Sequence, residues 1–355
     1  MMNFPSYKSI DQFLTDEVCA HQIPGAVYAV INRQSTLAEN AIGYTHKDEK
    51  IPMALDTLFD LASLTKVCAT LPSLLLLLEQ GKLDIDDPVQ LFFPDEANRD
   101  LTLRDLLTHT SGFPASVPFY QYGWSKQEVL RYILSLNTLT GKQVVYSDLN
   151  FILLGFLVQR LTGQSIDVFA DGHVFQPLGM TSTGFNPKAD LRTIAPTEWM
   201  PKVGHYQWGK VHDENAFYFG GVSGHAGLFS NLHDLKIYVR MLMNEGRTDS
   251  GAYFLSPATL RMSRRNYTKS LGKNRGIGWQ LVDDRFSPGG YFVSKESYGH
   301  TGFTGPFFWI DPVANLGFIL LSNRVHISRQ INMNRIRRIF VNLGMKEWTE
   351  QDKTV

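Results

Sequence analysis

The chain has few of the residues that would cross-link it, and its charge is balanced. Cysteine occurs at only two of 355 positions, Cys19 and Cys68, which is too few for a disulfide framework or a cysteine zinc site. Lysine plus arginine and aspartate plus glutamate number 34 each, so the formal net charge is zero. A chain with no net charge lacks the excess of positive charge that is typical of proteins that bind nucleic acid or an anionic membrane. We therefore expect a fold held by packing and no nucleic-acid partner.

A long apolar run is also missing. The most apolar segment, residues 71–78, is far shorter than the roughly 20 residues that span a bilayer. The stretch from Met1 to Lys8 has no basic region followed by an apolar one, so it does not read as a secretory signal. We expect no transmembrane segment and a cytoplasmic location, with an extracytoplasmic one open if a leader is missing. No pattern indicates the oligomeric state.

Two common motifs of hydrolases and nucleotide-binding proteins are absent. No serine lies in Gly-x-Ser-x-Gly, which argues against an α/β-hydrolase. The glycines of residues 220–224 are not followed by the Gly-Lys-Ser/Thr of a phosphate loop. Tight packing of a turn is the better interpretation of those glycines. The aromatic residues Tyr120, Tyr122 and Trp124 are expected in the core or in a cleft wall, since the chain carries no net positive charge.

One group of ligand-type side chains raises the question of a metal. His205, His212, Asp213, Glu214 and His225 fall close together in the sequence. They do not form the helical His-Glu-x-x-His pattern, and adjacent residues point in different directions. A structured loop that lines a cleft is therefore favoured over a metal site, and we expect neither metal nor cofactor.

A serine and a lysine stand three residues apart at the start of an apolar helix. Ser63 and Lys66 would share one helix face about one turn apart. A serine hydroxyl becomes a good nucleophile only when a base takes its proton, and a lysine is such a base only if its pKa is lowered. The leucine-rich continuation would supply burial, so we expect Lys66 to be largely neutral. The alternative is a helix-capping serine beside a surface lysine.

Hydrophobic periodicity predicts a mixed fold. Helices are predicted at 9–17, from 63 onward, and at 102–108, 126–136, 150–161, 232–245, 257–264 and 326–343, and strands at 25–31, 37–43, 276–282, 290–294, 306–311 and 316–322. Pro72 should disturb the helix one turn past Lys66. The order predicts an α/β (α+β) body formed by both chain ends, residues 1–88 and 200–355, with a mostly helical insertion domain at 89–199.

Two further motifs decide between the readings of Ser63. Tyr146-Ser147-Asp148 precedes a predicted helix, and His300-Thr301-Gly302 follows a strand-like segment. With Ser-x-x-Lys they resemble, in order and separation, the three motifs of the serine β-lactamases and penicillin-binding proteins. Segments 106–113, 177–180 and 224–235 are similar to the class C branch, with its D-alanyl-D-alanine carboxypeptidase and esterase relatives. The resemblance implies a β-lactamase/transpeptidase-like fold, an antiparallel sheet flanked by helices plus a mostly helical domain.

The resemblance also implies roles for individual residues. Ser63 would be the acylated nucleophile, and Lys66 and Tyr146 would share the general base and acid work. The backbone N–H groups of Ser63 and Phe303 would form the oxyanion hole. Asp148, His300, Thr301 and Gly302 would contact the substrate.

Two positions depart from the family pattern. Asp148 replaces an asparagine, so an ionised carboxylate there only accepts hydrogen bonds and is expected to hold Lys66 partly by its charge. His300 replaces a lysine, so a permanent cation becomes a group that is mostly neutral near pH 7. Recognition of penicillins and of a substrate carboxylate should therefore weaken.

The implied activity is hydrolysis of an amide or ester through an acyl-enzyme on Ser63. A peptidase or amidase on peptidoglycan-type peptides, similar to a D-alanyl-D-alanine carboxypeptidase, is the first expectation. A small-ester esterase and a weak β-lactamase are the alternatives within the class. A non-catalytic sensor that binds penicillin or peptides is the alternative from another class.

Overall fold

Both ends of the chain contribute strands to one antiparallel sheet. The computed structural model describes residues 7–94, 100–137, 142–283 and 287–351. In chain order the strands are β1 (Gly25–Ile31), β2 (Thr36–His46), β3 (Ile51–Pro52), β4 (Phe59–Asp60), β5 (Gly184–Phe185), β6 (Trp199–Met200), β7 (His205–Tyr206), β8 (Leu228–Ser230), β9 (Gln280–Leu281), β10 (Tyr298–Thr301), β11 (Phe307–Asp311) and β12 (Leu316–Ser322). The large sheet has seven strands in the order β3-β2-β1-β12-β11-β10-β9.

The remaining strands form two small sheets, and helices cover the rest. One small sheet is β4-β8-β5 and the other is the hairpin β6-β7. The α-helices are α1 (Lys8–Cys19), α2 (Leu71–Glu79), α3 (Leu103–Leu107), α4 (Lys126–Ser135), α5 (Asp148–Thr162), α6 (Ile166–Ala170), α7 (Gln176–Leu178), α8 (Glu214–Tyr218), α9 (Leu232–Met243), α10 (Pro257–Ser263) and α11 (Met333–Gln351). This is the antiparallel sheet with flanking helices that the sequence predicts.

Strand β1 joins the two chain ends and separates two cores. It pairs with β12 from Ala26 opposite Ser322 to Ile31 opposite Gly317. Successive side chains of a strand point to opposite faces. Its odd-numbered residues from Val27 to Ile31 belong to the larger core, and its even-numbered residues from Ala26 to Val30 belong to a smaller core with α1 and α11. The continuous apolar run of β1 is therefore explained by burial on both faces.

The helix that carries the Ser-x-x-Lys motif crosses the larger core. It begins as a 3₁₀ turn at Ala62–Leu64, continues as a π-helical turn at Lys66–Thr70 and becomes α2 at Leu71. The irregularity expected at Pro72 thus lies in the turn before it, because proline fits the first turn of an α-helix, where its missing N–H is not needed. The window Ala62–Glu79 is long and apolar enough to cross a membrane by length and composition, but 78% of it is buried inside the protein. Burial of this kind is typical of a core helix.

Three predicted elements differ from the structure. Residues 290–294 are not a strand: Gly290 has a φ of +83°, and Ser294 is bonded instead to the Asp311 carboxylate. The predicted strand at 276–282 is reduced to β9, and the C-terminal helix begins at Met333 rather than His326. The division into domains at 88/89 and 199/200 remains a prediction.

Candidate active site

The nucleophile lies at a strained turn. Ala62, directly before Ser63, has a φ of +46°, a left-handed conformation that costs energy for a residue with a Cβ and is often found at functional sites. The buried Asp60 carboxylate stabilises this turn, because it accepts hydrogen bonds from the N–H groups of Ala62 at 2.8 Å and of His212 at 2.6 Å. Burial raises the pKa of Asp60, and the two hydrogen bonds oppose that effect. One side chain thus joins the nucleophile turn to the loop before α8.

Lys66 is completely buried and makes three hydrogen bonds. Its Nζ donates to Ser63 Oγ at 3.1 Å, to Asp148 Oδ1 at 2.8 Å and to the His225 carbonyl at 3.2 Å. An ammonium has three protons to donate, and these three acceptors use all of them. The expected contact between Ser63 and Lys66 is present, and Asp148 holds the lysine as predicted. The alternative of a surface lysine is excluded.

The protonation state of Lys66 differs from the expectation. Burial acts to lower its pKa, but the charge of Asp148, with a contribution from Tyr146, outweighs burial and raises the pKa above its usual value. Lys66 is therefore a cation at neutral pH, and the prediction of a largely neutral lysine is wrong. The physical reason is that a carboxylate in direct contact favours the charged form by more than desolvation disfavours it.

Tyr146 lies across from Ser63, in contact with two cations. Lys66 Nζ is 4.9 Å and the Arg275 guanidinium 5.5 Å from the centroid of its ring. The hydroxyl is buried and accepts no well-formed hydrogen bond from any residue in the described ranges, although it lies near enough to Lys66 to raise the lysine pKa. His109 packs against the other side of the ring, with centroids 4.5 Å apart. The tyrosine oxygen is thus available to exchange a proton with another group.

The end of β10 forms the part of the cleft wall that packs directly against the nucleophile turn. Thr301, Gly302 and Phe303 line the cleft there. A Cβ on Gly302 would come within 2.5 Å of the Leu61 carbonyl oxygen, so only glycine permits this close approach. The Thr304 hydroxyl donates to the Asp60 carbonyl at 2.8 Å and fixes the spacing of the two segments. The predicted motif residues are thereby brought together around Ser63.

His300 is held behind this wall. Its ring is 2% exposed, lies 6.0 Å from the Tyr146 ring and is not among the residues that line the cleft. Burial lowers its pKa well below the usual value for histidine, and the charges of Lys66 and Arg275 lower it further. His300 is therefore neutral over a wider pH range than a histidine with its ordinary pKa, which would be only mostly neutral near pH 7.

A second acid–base pair adjoins Lys66. His225 Nε2 lies 2.9 Å from Asp213 Oδ1, and His225 Nδ1 lies 2.8 Å from Ser223 Oγ. Burial acts to raise the pKa of Asp213, but the charge and hydrogen bond of His225 hold it well below its usual value. The position of His225 depends on a close approach of Gly224 to the backbone of α5, since a Cβ on Gly224 would lie 2.1 Å from the Phe151 carbonyl oxygen and 2.9 Å from Gly155 Cα. This agrees with the interpretation of that glycine as tight turn packing.

The residues considered for a metal fall into separate places. His212 lies 3.1 Å from Glu198, and His205 lies in the β6-β7 hairpin. A different set, Asp148, Asp213 and His225, has potential ligand atoms within 4.8 Å of one another. The Lys66 ammonium already contacts this set, with bonds to Asp148 and to the His225 carbonyl. Its charge neutralises the carboxylates and would repel a metal cation.

These groups surround one cleft of about 580 Å³. The lining residues that matter for chemistry are Ser63, Tyr146, Asp148, Asp213, Thr301, Gly302 and Phe303, with Tyr120, His212, Glu214, Arg324, Arg329 and Arg337 farther along the walls. The prediction that Tyr120 lies in a cleft wall is confirmed. Sequence reasoning missed Asp60, the neighbour of the nucleophile turn, whose position between apolar residues at 58–59 and 61–62 is the one signal that could have indicated a buried carboxylate.

Comparison with known proteins places the chain in a family. The Beta-lactamase family profile matches residues 10–341. The chain belongs to the beta-lactamase family. It is 33% identical to the N-acetylmuramyl-L-alanine amidase of Bacillus subtilis (strain 168), over 90% of this chain and 81% of that protein. It is 34% identical to an Escherichia coli O157:H7 protein with the provisional name D-alanyl-D-alanine carboxypeptidase, over 91% and 83% of the two chains.

Solved structures of the beta-lactamase family share the fold. The class C beta lactamase from Rhodobacter sphaeroides superposes with a TM-score of 0.75 at 20% identity, covering 97% of this chain and 99% of that one. EstCE1, a hydrolase with promiscuous acyltransferase activity, superposes with a TM-score of 0.74 at 21% identity, covering 94% and 98%. These likenesses establish the β-lactamase/transpeptidase-like fold, and with the family match they make the protein a beta-lactamase-family serine hydrolase.

Proposed function

We propose that this serine hydrolase is an amidase or peptidase that cleaves peptidoglycan-derived peptides through an acyl-enzyme on Ser63. The observation that carries the proposal is the contact of Ser63 Oγ with the buried Lys66 ammonium at 3.1 Å, in a cleft that Tyr146 and the end of β10 also line. By their names, the two relatives described above act on the amide bonds of N-acetylmuramyl-L-alanine and of D-alanyl-D-alanine. Both names favour an amide over an ester.

The proton path follows from the charges. Because the Lys66 ammonium already donates to three acceptors, it orients Ser63 Oγ and stabilises negative charge instead of removing the serine proton. Tyr146, acting as its phenolate, would then accept the serine proton as Oγ bonds to the substrate carbonyl carbon. The backbone N–H groups of Ser63 and Phe303 would stabilise the oxyanion that forms.

The remaining steps reuse the same groups. Tyr146 returns the proton to the amine as the C–N bond breaks, which leaves an ester between the acyl group and Ser63. A water molecule then attacks this ester and gives its proton to Tyr146. Tyr146 passes this proton to Ser63 Oγ as the bond between the acyl group and Oγ breaks, which releases the acid and the free serine. Asp213 and His225 form a hydrogen-bonded pair next to Lys66, and Asp213 lines the cleft.

The neutral His300 favours one alternative within the class. A substrate that needs a cation at the His300 position to bind its carboxylate finds an uncharged, buried imidazole there, and the cations nearby are Arg324 and Arg337, which donate to the carbonyls of Phe303 and Gly302. A small-ester esterase has no such need, so it is the second candidate function. A weak β-lactamase would bind its substrate carboxylate poorly for the same reason.

Intact-protein mass spectrometry tests the proposal. The wild type, Ser63→Ala and the cleft-lining control Ser116→Ala would each be exposed to muropeptides, p-nitrophenyl esters and β-lactams. We expect turnover of muropeptides and a trapped adduct on Ser63 in the wild type and in Ser116→Ala, but not in Ser63→Ala. Ester turnover without muropeptide turnover would move the esterase ahead. An adduct that persists without turnover would indicate a sensor, and absence of any Ser63 adduct would overturn the mechanism.

A further inference from the structure

A second, larger cavity adjoins the catalytic cleft. It has a volume of about 1050 Å³ and is formed by the β6-β7 hairpin, by α8 and by the loop after β2. Tyr120, His212, Glu214 and Arg329 line both cavities. We call the second cavity the hairpin groove. The two spaces therefore adjoin along these residues.

An ion-pair network marks the boundary between them. Arg329 pairs with Glu198 at 2.7 Å and with Glu214 at 2.8 Å, and His212 lies 3.1 Å from the same Glu198. The His212 ring stacks on Phe303 with centroids 5.8 Å apart. Phe303 supplies one N–H of the proposed oxyanion hole, so a substrate bound at Ser63 can extend past Phe303 and His212 into the groove.

The floor of the hairpin groove is apolar and exposed. Trp199 is 47% exposed, Val203 58% and Phe217 48%, and Met200 and Tyr218 lie beside them. Water-exposed aromatic and apolar side chains grouped in one cavity are typical of a binding site. Tyr206 packs edge-on against Trp199, with centroids 5.1 Å apart, and fixes the orientation of the indole. The groove thus presents fixed rings to a ligand.

The rim of the groove is polar and mixed in charge. It carries the exposed side chains of Asp48, Glu49, His205 and Lys210. A membrane surface would require an excess of basic residues, which this rim lacks. A long alkyl chain would gain nothing from charged groups along its edge. A pyranose ring has both an apolar C–H face and a hydroxyl edge, and it matches a floor of rings with a polar rim.

We propose that the hairpin groove binds the sugar of an N-acetylated amino-sugar peptide whose scissile amide lies at Ser63. This inference rests on the proposed function and narrows it to the amide that joins the sugar-borne acyl group to the first amino acid. Ser63 Oγ would bond to that carbonyl carbon, and the C–N bond would break. The peptide would leave as an amine with the proton from Tyr146, and water would release the sugar as its carboxylic acid.

Paired substrates test the groove. The substrates are a muramyl peptide and the same peptide with an acetyl group in place of the sugar. Trp199→Ala should lower kcat/KM for the muramyl peptide about tenfold or more through KM, since loss of a well-packed aromatic contact commonly weakens binding by that factor. It should leave the acetyl peptide unchanged. Tyr291→Ala, at a 75% exposed ring outside the groove, is the control and should change neither.

Two results would overturn the proposal. One is an equal loss of kcat/KM for the muramyl peptide and the acetyl peptide in Trp199→Ala. The other is a selective loss for p-nitrophenyl octanoate relative to p-nitrophenyl acetate, which would make the groove an acyl-chain site.

A binding measurement separates failure of this inference from failure of the proposed function. Free N-acetylmuramic acid would be titrated into Ser63→Ala, with saturation-transfer NMR as the readout. Binding that Trp199→Ala removes in the double variant supports the groove, whatever the catalytic results. Absence of binding to Ser63→Ala, or binding that Trp199→Ala leaves unchanged, contradicts the groove even if Ser63 is the nucleophile.

Discussion

The two walls of the catalytic cleft differ in charge and in hydrogen bonding. On the nucleophile wall, the Lys66 ammonium donates to three acceptors and is neutralised by Asp148. On the β10 wall, His300 is buried and neutral, and its Nε2 has no hydrogen-bond partner among the described residues. The reactive groups are thus fixed before substrate arrives, whereas the His300 position on this recognition wall offers no charge. The cations of the β10 wall are instead the Arg324 and Arg337 guanidinium groups, which donate to the carbonyls of Phe303 and Gly302. This difference favours a substrate that needs no cation at the His300 position.

Removal of the nucleophile should have the largest effect. Ser63→Ala deletes the attacking oxygen, and comparable substitutions in serine hydrolases lower turnover about a millionfold. The Lys66–Asp148 pair does not depend on this hydroxyl, so the melting temperature should change little. Steady-state kinetics and thermal unfolding measure both quantities. Substantial activity in the purified variant would show that a residue other than Ser63 is the nucleophile.

The charge on the nucleophile wall is tested by Asp148→Asn. This change leaves the fully buried Lys66 without its carboxylate, and loss of one partner of a buried pair costs about 3 kcal/mol or somewhat more. Because Asp148 is 25% exposed, we expect the low end of that range in the free energy of unfolding at pH 7, measured by urea denaturation. Without the carboxylate, the pKa of Lys66 should fall.

A surface pair provides the control for that experiment. Asp86 pairs with Arg104, and both side chains are exposed. Asp86→Asn should cost less than about 1 kcal/mol, as is usual for exposed ion pairs. Equal losses in the free energy of unfolding of the two variants would mean that the Lys66 charge is solvated and that its pair with Asp148 contributes no more than an exposed ion pair does.

The local part of the site could be predicted from the sequence, whereas its charge state could not. The contact of Ser63 with Lys66 follows from helical spacing, and Tyr146 and Thr301 were found through the family motifs. The protonation of Lys66 depends on a carboxylate 82 residues away that outweighs burial. The sequence shows both the apolar surroundings of Lys66 and the presence of a carboxylate, but it does not show which of them has the larger effect on the pKa of Lys66.

The same limit applies to the fold. Strands β1 and β12 were predicted because their apolar runs are buried on both faces. Residues 290–294 have a similar pattern but expose Tyr291 and Phe292, and periodicity alone does not distinguish a loop with exposed aromatics from a strand. The link from Asp60 to His212, 152 residues apart, likewise exists only in the folded chain.

A cation placed on the recognition wall should change substrate preference. His300→Lys is expected to improve KM for carboxylate-bearing peptides and penicillins about tenfold at pH 7 to 8, the lower end for a charge-assisted hydrogen bond. We expect the lower end because Lys66 and Arg275 already act on this position. Neutral esters should not gain, and His300→Asn should leave the preference unchanged. An equal effect on both substrate types would show that the substrate carboxylate does not reach this wall.

The last prediction concerns the pH dependence of stability. A histidine with its ordinary pKa near 6.5 would bind a substrate carboxylate better as it is protonated, but the lowered pKa of His300 removes that transition. The lowered histidine pKa values should instead make the free energy of unfolding depend on pH, because the folded and unfolded chains bind different numbers of protons. His109 and His300 are both buried with pKa values well below the usual one, in each case chiefly by burial. His109 faces Arg275, Lys66 and His300, and each of these lowers its pKa further.

The sign follows from counting protons. Below about pH 6.5 the unfolded chain protonates these histidines and the folded chain does not, so the unfolded state binds more protons and stability falls as pH decreases, by about 1.4 kcal/mol per pH unit for each histidine. His326, with a pKa lowered to about 4, adds to the same slope between pH 4 and 6.5. Asp213, whose pKa is held low, contributes only near and below the ordinary aspartate pKa. Asp60, whose pKa is raised by burial, opposes the histidine slope where the folded chain protonates it and the unfolded chain does not.

His109→Asn isolates one histidine. Asparagine tolerates the φ of +58° at this position, and it does not titrate. The variant should therefore lose about 1.4 kcal/mol per pH unit from the slope between pH 6.5 and 5, measured by urea denaturation at closely spaced pH values. The exposed His205 is the control, and His205→Asn should leave the slope unchanged. If His109→Asn keeps the wild-type slope, His109 takes up a proton in the folded state, and the region behind the β10 wall admits charge after all.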